Sequence, residues 1–113
     1  MECIFCKIAS GLMPAKIIYQ DDTIIAFDDI YPCAPIHKLI IPLKHISTLN
    51  DLSLEDKALV GHIIYTAKHL ASDLGIAEDG YRTLINCNRY GGQTVFHLHL
   101  HLMAGRQMQW PPG

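Results

Sequence analysis

The sequence predicts an α+β fold: a five-stranded antiparallel sheet with one long and one short helix. Three observations lead there. Apolar residues recur at helical spacing from Leu59 to Leu74, a stripe wide enough to lay one helix on a sheet. Short β-branched and aromatic runs are separated by turn residues and prolines, and such short links favour antiparallel neighbours. Finally, His97-Leu98-His99-Leu100-His101-Leu102-Met103 alternates polar with apolar residues, the period of a strand with one face of each kind. As a strand it lines up His97, His99 and His101 on one side, roughly 6–7 Å apart. As a helix it would turn His99 away from the other two.

The 113 residues, half of them apolar, suit a single domain spanning residues 1–113 with a real core. The net charge is −2 and no run of Lys or Arg occurs, so neither nucleic acid nor an anionic membrane is an expected partner. No apolar run reaches bilayer length, and Met1-Glu2-Cys3 opens no signal-peptide pattern. A cytoplasmic protein is expected, with its four cysteines reduced. Cys3 and Cys6 then read as a metal or redox pair, and Cys33 and Cys87 as ordinary thiols.

In chain order, Cys3 to Ser10 predicts the short helix, since Ile4, Phe5 and Ile8 share a face and Gly11 can stop it. Lys16–Tyr19 and Thr23–Phe27 are strand-like, and Gln20-Asp21-Asp22 between them is turn chemistry, so a hairpin is expected. Pro32 and Pro35 exclude regular structure in the next stretch. His37 to Ile41 forms a strand closed by Pro42, followed by a loop through His45. Ser53 caps the long helix, with Asp56 at the capping-box position. Leu59, Ile63, Ala67, Leu70 and Leu74 make its stripe, widened by Val60, Ile64 and Ala71, and Gly75 ends it. Tyr81–Asn86 is a strand, Cys87–Gln93 a polar loop, and the histidine strand runs on until Gly105. The small residues Ala67 and Ala71 permit close approach of another helix, which would come from a second copy of the chain.

Four constellations carry chemistry. Imidazole titrates near neutrality, so the histidine face offers neutral rings that attack phosphorus or carbonyl carbon and charged rings that hold phosphate oxygens. A plain solvent face would mix Thr, Lys, Glu and Ser. His-x-His is also a chelating spacing, so metal binding stays open beside the nucleophilic reading. Upstream, Asn86, Gly91, Gly92, Gln93 and Thr94 read as a phosphate cradle or as a simple turn. Cys3-x-x-Cys6 with His45 and His97 would make a tetrahedral zinc site of the structural kind, against the alternative of two chance thiols on a helix. Phe5, Ile8, Phe27, Asp29 and Ile30 combine an acid able to hold ribose hydroxyls with apolar side chains able to sandwich a base, or are core residues beside a turn aspartate.

The heptapeptide His97–Met103 resembles the motif of the histidine-triad family, His-φ-His-φ-His-φ-φ with φ apolar. Gly91–Phe96 before it and the Trp110-Pro111-Pro112-Gly113 ending are similar to the Hint branch, the histidine-triad nucleotide-binding proteins. Ile4–Ile8, Phe27–Ile30 and His37–Pro42 match further family segments, so the resemblance covers nearly the whole chain. It implies a homodimer in which the long helix and the Tyr81–Asn86 strand form the interface and the sheet continues across both copies. It also implies cleavage of purine nucleoside 5′-phosphoramidates.

Carried over by position, His99 is the nucleophile, supported by His97, His101 and His37. Asn86, Gly92 and Thr94 contact the phosphate region, Thr94 standing where Hint proteins more usually have serine. Asp29 binds the ribose, and Phe5, Ile8, Phe27 and Ile30 form the base pocket. Cys3, Cys6, His45 and His97 resemble the zinc set of many microbial members. The implied mechanism is covalent: neutral His99 attacks the α-phosphorus, and water then releases a nucleoside monophosphate. The zinc would be structural, and no catalytic metal is required. The alternatives are a dinucleoside polyphosphate hydrolase, a metal enzyme using the triad as ligands, and a non-catalytic nucleotide-binding module.

Overall fold

The computed structural model describes residues 3–113. Met1 and Glu2, read above for the absence of a leader, lie outside them. The elements are α1 (Ile4–Ala9), β1 (Ile17–Gln20), β2 (Ile24–Asp28), β3 (Ile36–Pro42), α2 (Lys57–Asp73), β4 (Arg82–Leu84), α3 (Asn88–Gly91) and β5 (Leu100–Ala104). The strands form one antiparallel five-stranded sheet in the order β1-β2-β3-β5-β4. The expected α+β architecture holds, with one addition: the single-turn α3 occupies part of the stretch read as loop.

The two faces of the sheet carry two cores, and β2 shows why. Ile24, Ile25, Ala26 and Phe27 are all buried, so neither face of this strand meets water. Alternation along the strand sends Ile24 and Ala26 to the α2 side, where they meet Ile63, Ala67, Leu70, Leu100 and Leu102. Ile25 and Phe27 go to the α1 side with Leu39, Ile41, Phe5 and Ile8. The helix α1 has only six residues. It cannot cover its whole face, and the uncovered part carries His37 on β3 and His101 on β5.

Ser53 and Asp56 pair as expected, with a local difference. The Ser53 N–H and hydroxyl donate to the Asp56 carboxylate at 2.9 and 3.0 Å, and Lys44 Nζ donates to it at 2.7 Å. The box closes a 3₁₀ turn, Leu54–Asp56, and α2 proper starts only at Lys57. Of the predicted stripe, Ile63, Ala67, Leu70 and Ala71 are buried, joined by Thr66, whereas Ile64 is about half exposed. Gly75 ends the helix in the left-handed region, φ 74°. Strand β4 is shorter than the Tyr81–Asn86 expected.

The largest departure concerns the histidine strand. The ladder begins at Leu100, paired with Ile40, so His97 and His99 precede the strand and only His101 belongs to it. The cause is competition for backbone groups. The Leu98 N–H is taken by the Ile46 carbonyl at 2.6 Å. The Pro42 carbonyl, at the end of β3, is taken by the His97 ring at 2.8 Å. No helix among the described residues is long and apolar enough to cross a membrane.

The β1–β2 turn is fastened to α2 through Asp21. One carboxylate oxygen accepts Tyr19 Oη–H at 2.7 Å and His62 Nε2–H at 2.6 Å, and the other accepts the N–H groups of Thr23 and Ile24 at 2.9 and 3.0 Å. Burial alone would raise this carboxyl's pKa, but the donors outweigh it and hold the group well below the usual range. A depressed folded pKa stabilises the protein above the unfolded value of about 3.9, and this contribution is lost as pH falls below it. Asp21→Asn should therefore cost about 1 kcal/mol at pH 7, discounted for partial exposure, and the difference from wild type should shrink below about pH 4. Urea unfolding at a series of pH values checks this, and a pH-independent difference would refute it.

Candidate active site and metal centre

The uncovered part of the α1 face forms a cavity of about 360 Å³. Phe5 and Ile8 of α1, Phe27, Asp29 and Ile30 at the end of β2, and His37 and Leu39 of β3 line it together with Thr94, Val95, His99 and His101. The apolar side chains are clustered. The Phe5 and Phe27 rings meet edge to face at 5.6 Å, and Phe5 also contacts the His99 ring at 5.1 Å. Thus Phe5, Ile8, Phe27, Asp29, Ile30, Thr94, His37, His99 and His101 come together as expected from the sequence. Ile30 is largely exposed at the rim. Asn86 and Gly92 do not line the cavity. Gly92 follows α3 with φ 81°, and a Cβ on Gly91 would lie 3.6 Å from the backbone of Asn86, so Asn86 and Gly92 shape the loop behind Thr94.

Hydrogen bonding assigns the imidazole protons. A carbonyl only accepts and a peptide N–H only donates, so each contact of this kind fixes one nitrogen. The Cys33 N–H donates to His37 Nδ1 at 2.9 Å, which leaves the proton of a neutral His37 on Nε2. That Nε2 lies 2.9 Å from His101 Nδ1 and donates to it, which places the His101 proton on Nε2. His101 Nε2 is buried and has no hydrogen-bond partner among the described residues. His99 is fixed in the opposite sense. Its Nδ1–H donates to the His97 carbonyl at 2.8 Å, leaving the lone pair on Nε2. The His99 and His101 rings are 4.8 Å apart, one with a free acceptor and one with a free donor. The alternating pattern alone leaves them equivalent, and only the family resemblance sets His99 apart as nucleophile.

Burial keeps these rings neutral. It lowers the pKa of His37 and of His99 against the opposing pull of Asp29, whose Oδ2 is 3.4 Å from His37 Nε2. Burial, then the nearby His99 and His37 rings, push His101 down to about 4.

Beside the cavity, Cys3, Cys6, His45 and His97 place one ligand-type atom each within 4.8 Å of all the others. His45 Nδ1 and His97 Nδ1 are 3.2 Å apart, Cys6 Sγ is 3.2 and 3.5 Å from them, and Cys3 Sγ is 3.4 Å from His97 Nδ1. A tetrahedral ion with Zn–N and Zn–S bonds of ordinary length separates its ligand atoms by about 3.3–3.8 Å, close to these values. Both imidazoles present Nδ1 while Nε2 is held elsewhere, His97 by the Pro42 carbonyl and His45 beside Ser47 Oγ at 3.3 Å. Outer contacts of this kind orient metal-binding histidines. The cluster can hold a metal ion. A second group, Asp29, His37 and His101, is also close together, but His37 Nδ1 is taken by the Cys33 N–H, and His37 Nε2 and His101 Nδ1 by each other.

One residue read from sequence as part of a phosphate cradle or turn has its amide committed to the backbone and holds the loop. Gln93 is buried, donates from Nε2 to the Ser47 and Val95 carbonyls at 2.8 and 3.0 Å, and accepts the Asn88 N–H at 2.9 Å. It ties the segment leading to His97 to the segment carrying His45. Its two-headed amide was the available signal. The Cys33 N–H was invisible, since any residue but proline supplies one.

A family model described as HIT domain matches residues 10–108, a stretch that includes His37, His45, His97, His99 and His101. The chain belongs to the HIT family. It is 50% identical over 107 residues to the purine nucleoside phosphoramidase of Escherichia coli (strain K12), covering 95% of this chain and 90% of that one. Among solved structures, a HIT family hydrolase from Legionella pneumophila Philadelphia 1 superposes with a TM-score of 0.97 at 54% identity, covering 99% of this chain and all of its own. A histidine triad protein from Clostridium difficile gives 0.94 at 41% identity, with 96% and 95% covered.

The His101 imidazole should titrate near pH 4 and stay neutral above it, against an ordinary midpoint near 6.5. Nitrogen-15 NMR of the ring checks this, and a midpoint at or above 6 would contradict the burial account.

Proposed function

We propose that this chain, as one HIT domain, hydrolyses the P–N bond at the α-phosphate of purine nucleoside 5′-phosphoramidates through a nucleotidyl-histidine intermediate. The observation that carries the reading is the opposed protonation of two neighbouring rings. His99 offers a lone pair on Nε2, and His101 offers an N–H from Nε2, at one cavity. The 50% identity to a purine nucleoside phosphoramidase supports it.

Neutral His99 Nε2 attacks phosphorus and the P–N bond breaks, with His101 Nε2–H hydrogen-bonded to the departing nitrogen, which takes its proton from solvent water. The His97 carbonyl holds His99 Nδ1–H and stabilises the positive charge that the ring acquires. Water then attacks the nucleotidyl-histidine, its hydroxyl going to phosphorus and its proton to solvent, and the bond from phosphorus to His99 Nε2 breaks to restore the neutral ring. His37 orients His101, while Thr94 and the loop shaped by Asn86 and Gly92 serve the phosphate end. Phe5, Ile8, Phe27 and Ile30 hold the base, and Asp29 holds the ribose. No catalytic metal enters these steps.

Cys3, Cys6, His45 and His97 would hold a structural zinc ion, which when bound cross-links α1 to the two loops. A second copy would pair with the α2 face and the β4 edge, where Ile64, Tyr65 and Tyr81 remain exposed. None of the four cysteines is in a disulfide among the described residues, which fits a reducing cytoplasmic setting.

Incubation with an adenosine 5′-phosphoramidate should give AMP, and intact mass should detect an adenylyl adduct that disappears in His99→Ala with a rate loss of at least about 10³-fold. Wild-type protein showing neither turnover nor adduct would sink the proposal. For the metal, elemental analysis should find one zinc per chain, and Cys3→Ser with Cys6→Ser should abolish it and lower Tm by at least about 5 °C. Full zinc occupancy in the double variant would exclude this ligand set.

A further inference from the structure

Arg106 stands just beyond β5, outside the residues assigned above to substrate or metal. Its Nε and Nη2 both donate to the Cys33 carbonyl, at 3.2 and 3.0 Å. The same Cys33 residue donates its N–H to His37 Nδ1 at 2.9 Å. The residue whose N–H sets the His37 tautomer is therefore gripped at its carbonyl by a guanidinium from a different element. The chain folds to permit this at Gly105. There φ is +95°, and a Cβ would lie 2.8 Å from Pro35 Cβ, so the Pro32–Pro35 loop can sit directly on the end of β5 only because that atom is missing.

We propose that Arg106 is a positioning residue for the histidine site, acting through Cys33 to hold His37 in the tautomer that leaves His101 a donor. This inference rests on the reading of His101 Nε2–H as the hydrogen-bond donor to the leaving group. The sequence of contacts is Arg106 to the Cys33 carbonyl, Cys33 N–H to His37 Nδ1, and His37 Nε2–H to His101 Nδ1. Without the guanidinium, the Cys33 N–H is free to swing away, since Cys33 and Arg106 both lie at the exposed surface. His37 Nδ1 could then take the proton and turn a bare Nε2 toward His101, which would convert His101 into the wrong tautomer. Arg106 Nη1 also donates to the Gln107 carbonyl at 3.3 Å, so a role confined to tethering the tail is the alternative to be tested.

The test compares wild type, Arg106→Ala and Arg106→Lys, each alone and with His37→Gln, using an adenosine 5′-phosphoramidate. Arg106→Ala should lower kcat about five- to twenty-fold with KM within about two-fold, and Lys, which keeps one donor, should recover part of the loss. In the His37→Gln background the same substitution should cost less than about two-fold, because its route to the site is already cut. Nitrogen-15 NMR supplies a readout independent of turnover: wild-type His37 should carry its proton on Nε2, and Arg106→Ala should show a mixture. Should Arg106→Ala not fold, the Lys variant carries both measurements. An unchanged His37 tautomer with kcat within about two-fold of wild type overturns the inference, as does a loss that simply multiplies with that of His37→Gln. Wild type without turnover would instead refute the phosphoramidase reading, and the tautomer comparison would still decide the role of Arg106.

Discussion

The structure depends on His97, all of whose hydrogen-bonding groups at the site have partners. Its Nδ1 belongs to the cysteine–histidine cluster, its Nε2–H is held by the Pro42 carbonyl, and its own carbonyl holds His99. The ring is fully buried. A buried imidazole with an unpaired nitrogen would cost roughly 1–3 kcal/mol, so each of these partners is needed. Through them one side chain joins α1, the end of β3 and the loop before β5. The group that organises the cysteine–histidine cluster thereby also fixes the orientation of the ring that lines the cavity.

The second consequence is asymmetry among chemically identical side chains. Burial makes the rings neutral, and a neutral imidazole has one donor and one acceptor whose positions must be decided by neighbours. His99 is decided by a carbonyl, and His37 by a peptide N–H. His101 is decided at one remove, by His37. Two rings 4.8 Å apart thus present opposite functions to the same cavity. In water both would sample each tautomer, and the distinction would vanish.

This explains how far the sequence could be read. Short apolar, β-branched runs located β2 and β3 to within a residue, because burial on both faces of a strand leaves a strong apolar signature. The residue types of the metal cluster were legible in Cys3-x-x-Cys6, but the arrival of His45 and His97 depends on two loops meeting through Gln93 and the Leu98–Ile46 bond. No periodicity encodes such a meeting. Apolar and acidic residues of the cavity were recognisable by type. Asn86 and Gly92 sit one layer back, since a glycine next to a site and a glycine inside it look alike in sequence. The unequal roles of the histidines were beyond composition altogether, being set by backbone groups that every residue but proline carries.

The same backbone accounting explains why the alternating pattern does not become one continuous strand. In a ladder, carbonyls and N–H groups point sideways to neighbouring strands, and β5 lies between β3 and β4 with both edges engaged. Had the ladder run on to His97, its carbonyl would have been directed at a neighbouring strand and denied to His99 Nδ1–H. The Pro42 carbonyl would likewise have been drawn from the His97 ring. Strand pairing and site assembly compete for these groups. Burying the His97 ring in a cluster of thiols and a second imidazole decides the competition against the ladder. The alternation of histidine and leucine is kept because it sends Leu98, Leu100 and Leu102 to buried positions, while leaving the intervening rings on the cavity side. The pattern is that of a strand, and the first half of it is bent out of the ladder to make a site.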